Sequence, residues 1–346
     1  ILLICNDKND TNLKMATDLL EKIGQRFSRD FDFKYCEITT NPNEIIKKAT
    51  SAHAILFAFG AAQDSRERYR NVEILNKVAN ALGLYSHICY TPAFATNSNA
   101  QPRYAIVSDT AGGVAESGFR NNPTFGREAY DVLSYSELEI ERVARIAYEL
   151  AENSRRHVTL VDMANRLTTS KLWRKIVTDI NEDYPYVSVN MLTAKDAASA
   201  LLQDSSQFDI ILTTSILGDM LSGICEAIIS GNCNANEREI ILAAIGDTAL
   251  TAYFGETTLG MYGVNAQSQN PIQNMQFNAA NNELSAAAKY ANTISIMLSI
   301  SMMLRHSLDM CDAAKSIECA VEKLLSENSA TLEINENQII SALLTT

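Results

Sequence analysis

Long hydrophobic runs are missing from this chain, and that absence excludes a membrane-spanning helix. A span requires about 18–20 consecutive apolar residues. The longest candidate, residues 294–304, is shorter and ends at Arg305-His306. ILLIC at positions 1–5 is followed by Asn6-Asp7-Lys8, which reads as a buried strand rather than a signal peptide. Clustered positive charge is missing as well. Lys+Arg number 29 against 41 Asp+Glu, a formal net charge of −12, and Arg155-Arg156-His157 is the densest basic patch. Such a chain repels phosphate backbones and anionic bilayers at long range, so neither nucleic acid nor membrane is expected as a partner. No CxxC or zinc-ligand spacing occurs among Cys5, Cys36, Cys89, Cys225, Cys233, Cys311 and Cys319. They read as buried thiols of a cytoplasmic protein, where disulfides are rare. His53, His87, His157 and His306 are scattered without metal-ligand spacing. No GxGxxG or Walker-type phosphate loop is found.

What is present is a globular chain of 346 residues, 47% hydrophobic and 20% charged, long enough for two medium domains. Short β-type runs alternate with longer helical ones, the pattern of an α/β protein with a largely parallel sheet. Strands are expected at 1–5, 31–38, 54–59, 104–107, 158–162, 187–192 and 209–213. Helices are expected at 12–27, 43–50, 72–82, 170–181, 194–202, 284–304 and 311–325. The strongest helical signal runs from Ser136 to Asn153. Ser136 and Glu139 have capping-box spacing, and Ile140, Val143, Ala144, Ala147 and Leu150 mark an apolar face. Gly83 stands where a helix C-cap belongs. A Gly112-Gly113 turn follows the strand at 104–107. Polar loops at 93–103 and 232–236 are candidate domain crossings, and the Asn/Gln-rich stretch 263–283 reads as a surface loop.

Several segments, in order, resemble the isopropylmalate/isocitrate dehydrogenase family, and its isopropylmalate branch above all. They are ALGLYSHI (81–88), TAGGVAES (110–117), residues 129–167, KLWRKIVTDINEDYPYVSVNML (171–192), QFDIILTTSILGDMLS (207–222) and residues 291–310. The resemblance implies two α/β domains sharing a mixed twisted sheet with an interdomain cleft. The first domain is expected at 1–95 plus 235–346, and the second, dimer-forming one at 96–234. It further implies NAD- and Mg²⁺- or Mn²⁺-dependent oxidative decarboxylation of a 2-hydroxy acid.

Carried over residue by residue, that chemistry is largely missing. The three substrate-gripping arginine positions hold Ala79, Cys89 and Ser108, which would line the cleft. The metal positions hold Asp219, with Gly223 and Lys195 in place of the other two carboxylates. Of the proton-transfer pair, Tyr135 is retained and the lysine position is Met163. At the nucleotide side only Asp7 and Asn292 match. Residues of the structural segments, including Trp173, Arg174, Tyr184 and Pro185, are kept. The expectation is therefore a dimeric pseudoenzyme without bound cofactor, homodimeric or paired with an active paralogue as a structural or regulatory partner. A Lys195 ammonium beside Asp219 could stand in for the metal. Two alternatives are an enzyme or binder of a less anionic small molecule and a working 3-isopropylmalate dehydrogenase of leucine biosynthesis, using NAD and Mg²⁺ or Mn²⁺.

Overall fold

The computed structural model describes residues 1–5, 11–38, 41–57, 65–91, 104–122, 124–231, 250–255, 259–264 and 286–327. Two compact units emerge: Ile1–Leu84, Cys89–Arg103 and Gly223–Thr346 form one, and Tyr85–Ile88 with Tyr104–Ser222 the other. Asp7 and the expected loops at 93–103 and 232–236 lie outside the described residues. So does the stretch at 263–283, apart from its first two residues.

In the first unit, β1 (Leu2–Cys5), α1 (Thr11–Phe27), β2 (Lys34–Glu37), α2 (Pro42–Ala49), β3 (Ala54–Phe57) and α3 (Ser65–Ala81) alternate. Later chain adds β11 (Leu250–Phe254), β12 (Gly260–Val264), α8 (Ala286–His306) and α9 (Cys311–Glu327). Strand order is β2-β1-β3-β12-β11, parallel except for the antiparallel β11–β12 pair. Residues 263 and 264, expected in a loop, belong to β12. Side chains alternate across a strand, so Leu3, Cys5 and Leu56 join α1, α8 and α9 on one face. Leu2, Ile4, Ile55 and Phe57 join α2 and α3 on the other. Both faces are covered, which is why β1 and β3 are apolar without interruption. Helix α8 is buried from Ile294 through Leu304. It carries its serines by returning their hydroxyls to protein oxygens: Ser299 to the Ser295 carbonyl at 2.8 Å, and Ser301 to Glu318 at 2.8 Å. Among the described residues no helix is long and apolar enough to cross a membrane. At the end of α3, Gly83 adopts φ 69°, the left-handed cap that glycine permits.

The second unit contains β5 (Tyr104–Asp109), β6 (Gly113–Asn122), β7 (Gly126–Ser134), α4 (Glu137–Glu152), β8 (His157–Asp162) and α5 (Thr168–Asn181). It continues with β9 (Ser188–Thr193), α6 (Ala194–Gln203), β10 (Ile210–Thr213) and the start of α7 (Ser215–Gly231). The order β5-β10-β8-β9 is wholly parallel, while β6 and β7 form a separate antiparallel ribbon. The Ser136 capping box is complete. Ser136 Oγ accepts the Glu139 N–H at 3.3 Å, and the Glu139 carboxylate accepts the Ser136 N–H at 2.7 Å. A further strand, β4 (Ser86–Thr91), begins in this unit and ends in the first. Cys5, Cys36, Cys89 and Cys225 are buried and in no disulfide, whereas Cys311 at the start of α9 is exposed and Cys319 is half-buried.

Candidate functional site

Tyr135 stands between β7 and α4, one residue before the Ser136 cap, so the cap fixes the point at which its side chain leaves the backbone. Its ring meets Trp173 of α5 edge-on, with centroids 5.4 Å apart at 83°. Asp109 closes β5 and is fully buried; its Oδ2 accepts the Gly112 N–H at 2.6 Å. Two glycines make this approach possible. A Cβ on Gly112 would lie 2.8 Å from Tyr135 Cε1 and 3.0 Å from Asp109 Oδ2. Gly113 has φ 105°, and a Cβ there would lie 3.1 Å from the Tyr135 hydroxyl and 3.4 Å from Ser215 Oγ. Carboxyl, phenol and serine hydroxyl are thus gathered around one turn.

Burial dominates the electrostatics of this cluster. It raises the Asp109 carboxyl to about 6, against the Gly112 hydrogen bond and the Arg142 charge, with Glu139 adding to the rise. Burial likewise raises Tyr135 to about 12; the Asp109 charge raises it further, and Ser215 works the other way. The Arg142 guanidinium lies over the Tyr85 ring, 4.2 Å from its centroid. Asp109 Oδ1, Arg142 Nε and Trp173 Nε1 are buried without a hydrogen-bond partner, and the buried Tyr135 hydroxyl has Ser215 beside it but no hydrogen bond of good geometry. Buried polar groups are ordinarily satisfied.

Met163, at the lysine position, sits in a rigid turn after β8. Asp162, 1% exposed, accepts Arg174 bidentately at 2.6 and 3.1 Å and also accepts the Ala164 N–H at 2.8 Å. Met163 N–H donates to Ser170 Oγ at 3.2 Å. The side chain at this position is a thioether, which transfers no proton. Ser108 is buried, its hydroxyl donating to the His87 carbonyl at 3.5 Å. Gly218 of α7 is so close that a Cβ on it would lie 2.5 Å from Ser108 Cβ. Cys89 is buried in β4. Ala79 is buried in α3 among Leu75, Val78 and Leu84. His87 is buried too, and desolvation lowers its pKa to about 4.

Asp219 is exposed on α7, though partial desolvation raises its carboxyl above the ordinary range. Gly223, one turn on, faces open space. Lys195 is exposed in the first turn of α6, whose N-cap is Thr193. Among the described residues of one chain, no ion pair joins Lys195 to Asp219, and no three His, Cys, Asp or Glu side chains gather as a metal-ligand set. One carboxylate with a glycine and a lysine at the companion positions does not fit a divalent cation, which needs several converging oxygens. Asn292 lies in α8, with its side chain outside the described set.

Of the residues singled out in the sequence, Tyr135 stands at the cluster described here. Asp109, Arg142 and Ser215 were not anticipated. The available signal was an aspartate three residues before a Gly-Gly pair, the spacing at which a short carboxylate closes a turn on the backbone.

Known proteins match the chain over nearly all of its length. The family model described as isocitrate/isopropylmalate dehydrogenase matches residues 10–232 and 281–346. A 3-isopropylmalate dehydrogenase of Clostridium pasteurianum is 29% identical over 345 residues, covering 93% of this chain and 89% of that protein. One of Clostridium acetobutylicum is 30% identical, covering 92% and 88% respectively. Among solved structures, isocitrate dehydrogenase from Methylococcus capsulatus aligns with a TM-score of 0.69 at 17% identity, covering 99% of this chain and 98% of that one.

Proposed function

Because the chain belongs to the isocitrate/isopropylmalate dehydrogenase family, we propose that it is a divergent member impaired in that family's reaction and acts as a dimeric structural or regulatory partner. One observation carries this reading. The three positions at which the resemblance places arginines hold Ala79, Cys89 and Ser108, which are 1%, 1% and 2% exposed. A malate-type substrate is a polyanion and needs charge-assisted contacts of about 1.5–3 kcal/mol each. Uncharged side chains enclosed in the interior supply none of them. Met163 and Gly223 remove the proton-transfer lysine and a metal carboxylate from the same reaction. Docking to a second copy or to an active paralogue is supported by apolar side chains left in solvent on the second unit. Phe119 and Phe125 of the β6–β7 ribbon are 89% and 79% exposed, and Ile216 of α7 is 60% exposed.

Isothermal titration with NAD, followed by isopropylmalate plus Mg²⁺, tests the impairment. Absence of heat and of NADH formation is the expected result; turnover would overturn it and mark a working dehydrogenase. Sedimentation equilibrium tests the dimer, with Phe119→Asp expected to weaken it.

A second reading, binding of a less anionic small molecule, is favoured by the unpartnered polar atoms around Tyr135. A thermal-shift screen of neutral metabolites addresses it. Stabilisation that disappears in Tyr135→Phe supports this reading, and a screen without a hit counts against it.

A further inference from the structure

The resemblance assigns proton transfer to a tyrosine and a lysine, and residue 163 cannot serve. The geometry points to a different partner. We infer that Asp109 and Tyr135 act as a coupled acid pair across the Gly112-Gly113 turn, so that Asp109, not residue 163, governs the proton on the Tyr135 hydroxyl. This holds whether or not any family activity survives, because it concerns only groups internal to the second unit.

Three observations support the pairing. Asp109 Oδ2 and Tyr135 Cε1 both lie within 3.0 Å of the same point above Gly112, so only a glycine separates carboxylate from ring. The remaining carboxylate oxygen and the phenol oxygen are both buried, and Ser215 stands beside the phenol. Neither group is free to move away, since Asp109 is tied to the Gly112 N–H and Tyr135 is set against Trp173.

The surroundings identify Asp109 as the titrating member. From α4 it is faced by Arg142, which favours the carboxylate, and by Glu139, which disfavours it. Glu139 is held ionised by the Ser136 hydroxyl and N–H, below its ordinary range. Beside β5, strand β10 carries Ile210–Thr213 and no ionisable side chain. The Tyr85–Ile88 segment brings Tyr85 and His87, and burial keeps that imidazole neutral above about pH 4. The start of α7 brings only Ser215 to Tyr135. At neutral pH the nearby carboxylate opposes phenolate formation, which keeps the Tyr135 hydroxyl protonated.

The test is NMR of the full chain with tyrosine labelled at Cζ, the Tyr135 signal being assigned by its loss in Tyr135→Phe. In the natural sequence that signal is expected to inflect near pH 6, following Asp109. In Asp109→Asn, which keeps an oxygen for the Gly112 N–H, it is expected to stay flat between about pH 5 and 7. A flat wild-type titration, or an inflection that persists in Asp109→Asn, overturns the inference. Should Asp109→Asn fail to fold, Arg142→Gln gives the second arm. Loss of the positive charge should move the inflection to higher pH, and an unmoved inflection is equally fatal.

Discussion

At the scale of single residues, Asp109 and Asp162 solve the same problem in opposite ways. Both carboxyls are essentially inaccessible to water. Asp162 is matched by a bidentate pair with Arg174. Asp109 has no such partner: burial outweighs the Gly112 and Ala111 N–H groups and the charge of Arg142, so its pKa rises from 3.8 to about 6. With the folded-state value raised, its contribution to stability is complete below pH 3.8 and is lost as pH rises through about 6. Asp109→Asn should therefore stabilise the fold at pH 7 by on the order of 1–3 kcal/mol. The gain should vanish near pH 4, and urea unfolding at both pH values measures it. Arg174→Met is expected to do the reverse. It strands a buried carboxylate and should cost about 3 kcal/mol, reduced somewhat because the arginine itself is partly exposed. The same denaturation series checks it.

Elements differ in how plainly the chain announces them. Helix α4 was legible because its cap, its first-turn acids and its 3.6-residue apolar spacing agree. Ser136→Ala should lower stability by about 1 kcal/mol in thermal unfolding. The ribbon β6–β7 was not legible. Most residues of β7 are exposed or half-buried, so no alternation of apolar and polar side chains marks it. Strand β4 (SHICYT) is hidden for the opposite reason: Ser86 and His87 are buried with their apolar neighbours, which blurs any two-residue period. The site shows the same division. Tyr135 and Met163 could be placed by resemblance, whereas Asp109 depends on a close approach across a turn that no spacing rule announces. That turn yields a contrast between two glycines. Gly112→Ala must displace the Tyr135 ring or the Asp109 carboxylate and should cost about 1–3 kcal/mol. Gly223→Asp meets open space on a helix and should leave the melting temperature nearly unchanged.

For the whole molecule, the positions at which the resemblance places other residues fall into two kinds, and substituting them should expose the difference. Lys195 and Gly223 are exposed. Lys195→Asp in the first turn of α6 should even stabilise by about 0.3–1 kcal/mol, because a carboxylate suits a helix N-terminus. Ala79, Cys89 and Ser108 are enclosed, and an arginine at any of them requires neighbours to withdraw. Circular dichroism should find the metal-side variants folded and Ser108→Arg unfolded or aggregated. With Ser108 in place, a side chain at Gly218 has no room, because its Cβ would lie 2.5 Å from Ser108 Cβ. The two positions therefore constrain each other in sequence: whatever residue 108 becomes, position 218 stays glycine for as long as helix and strand keep this separation.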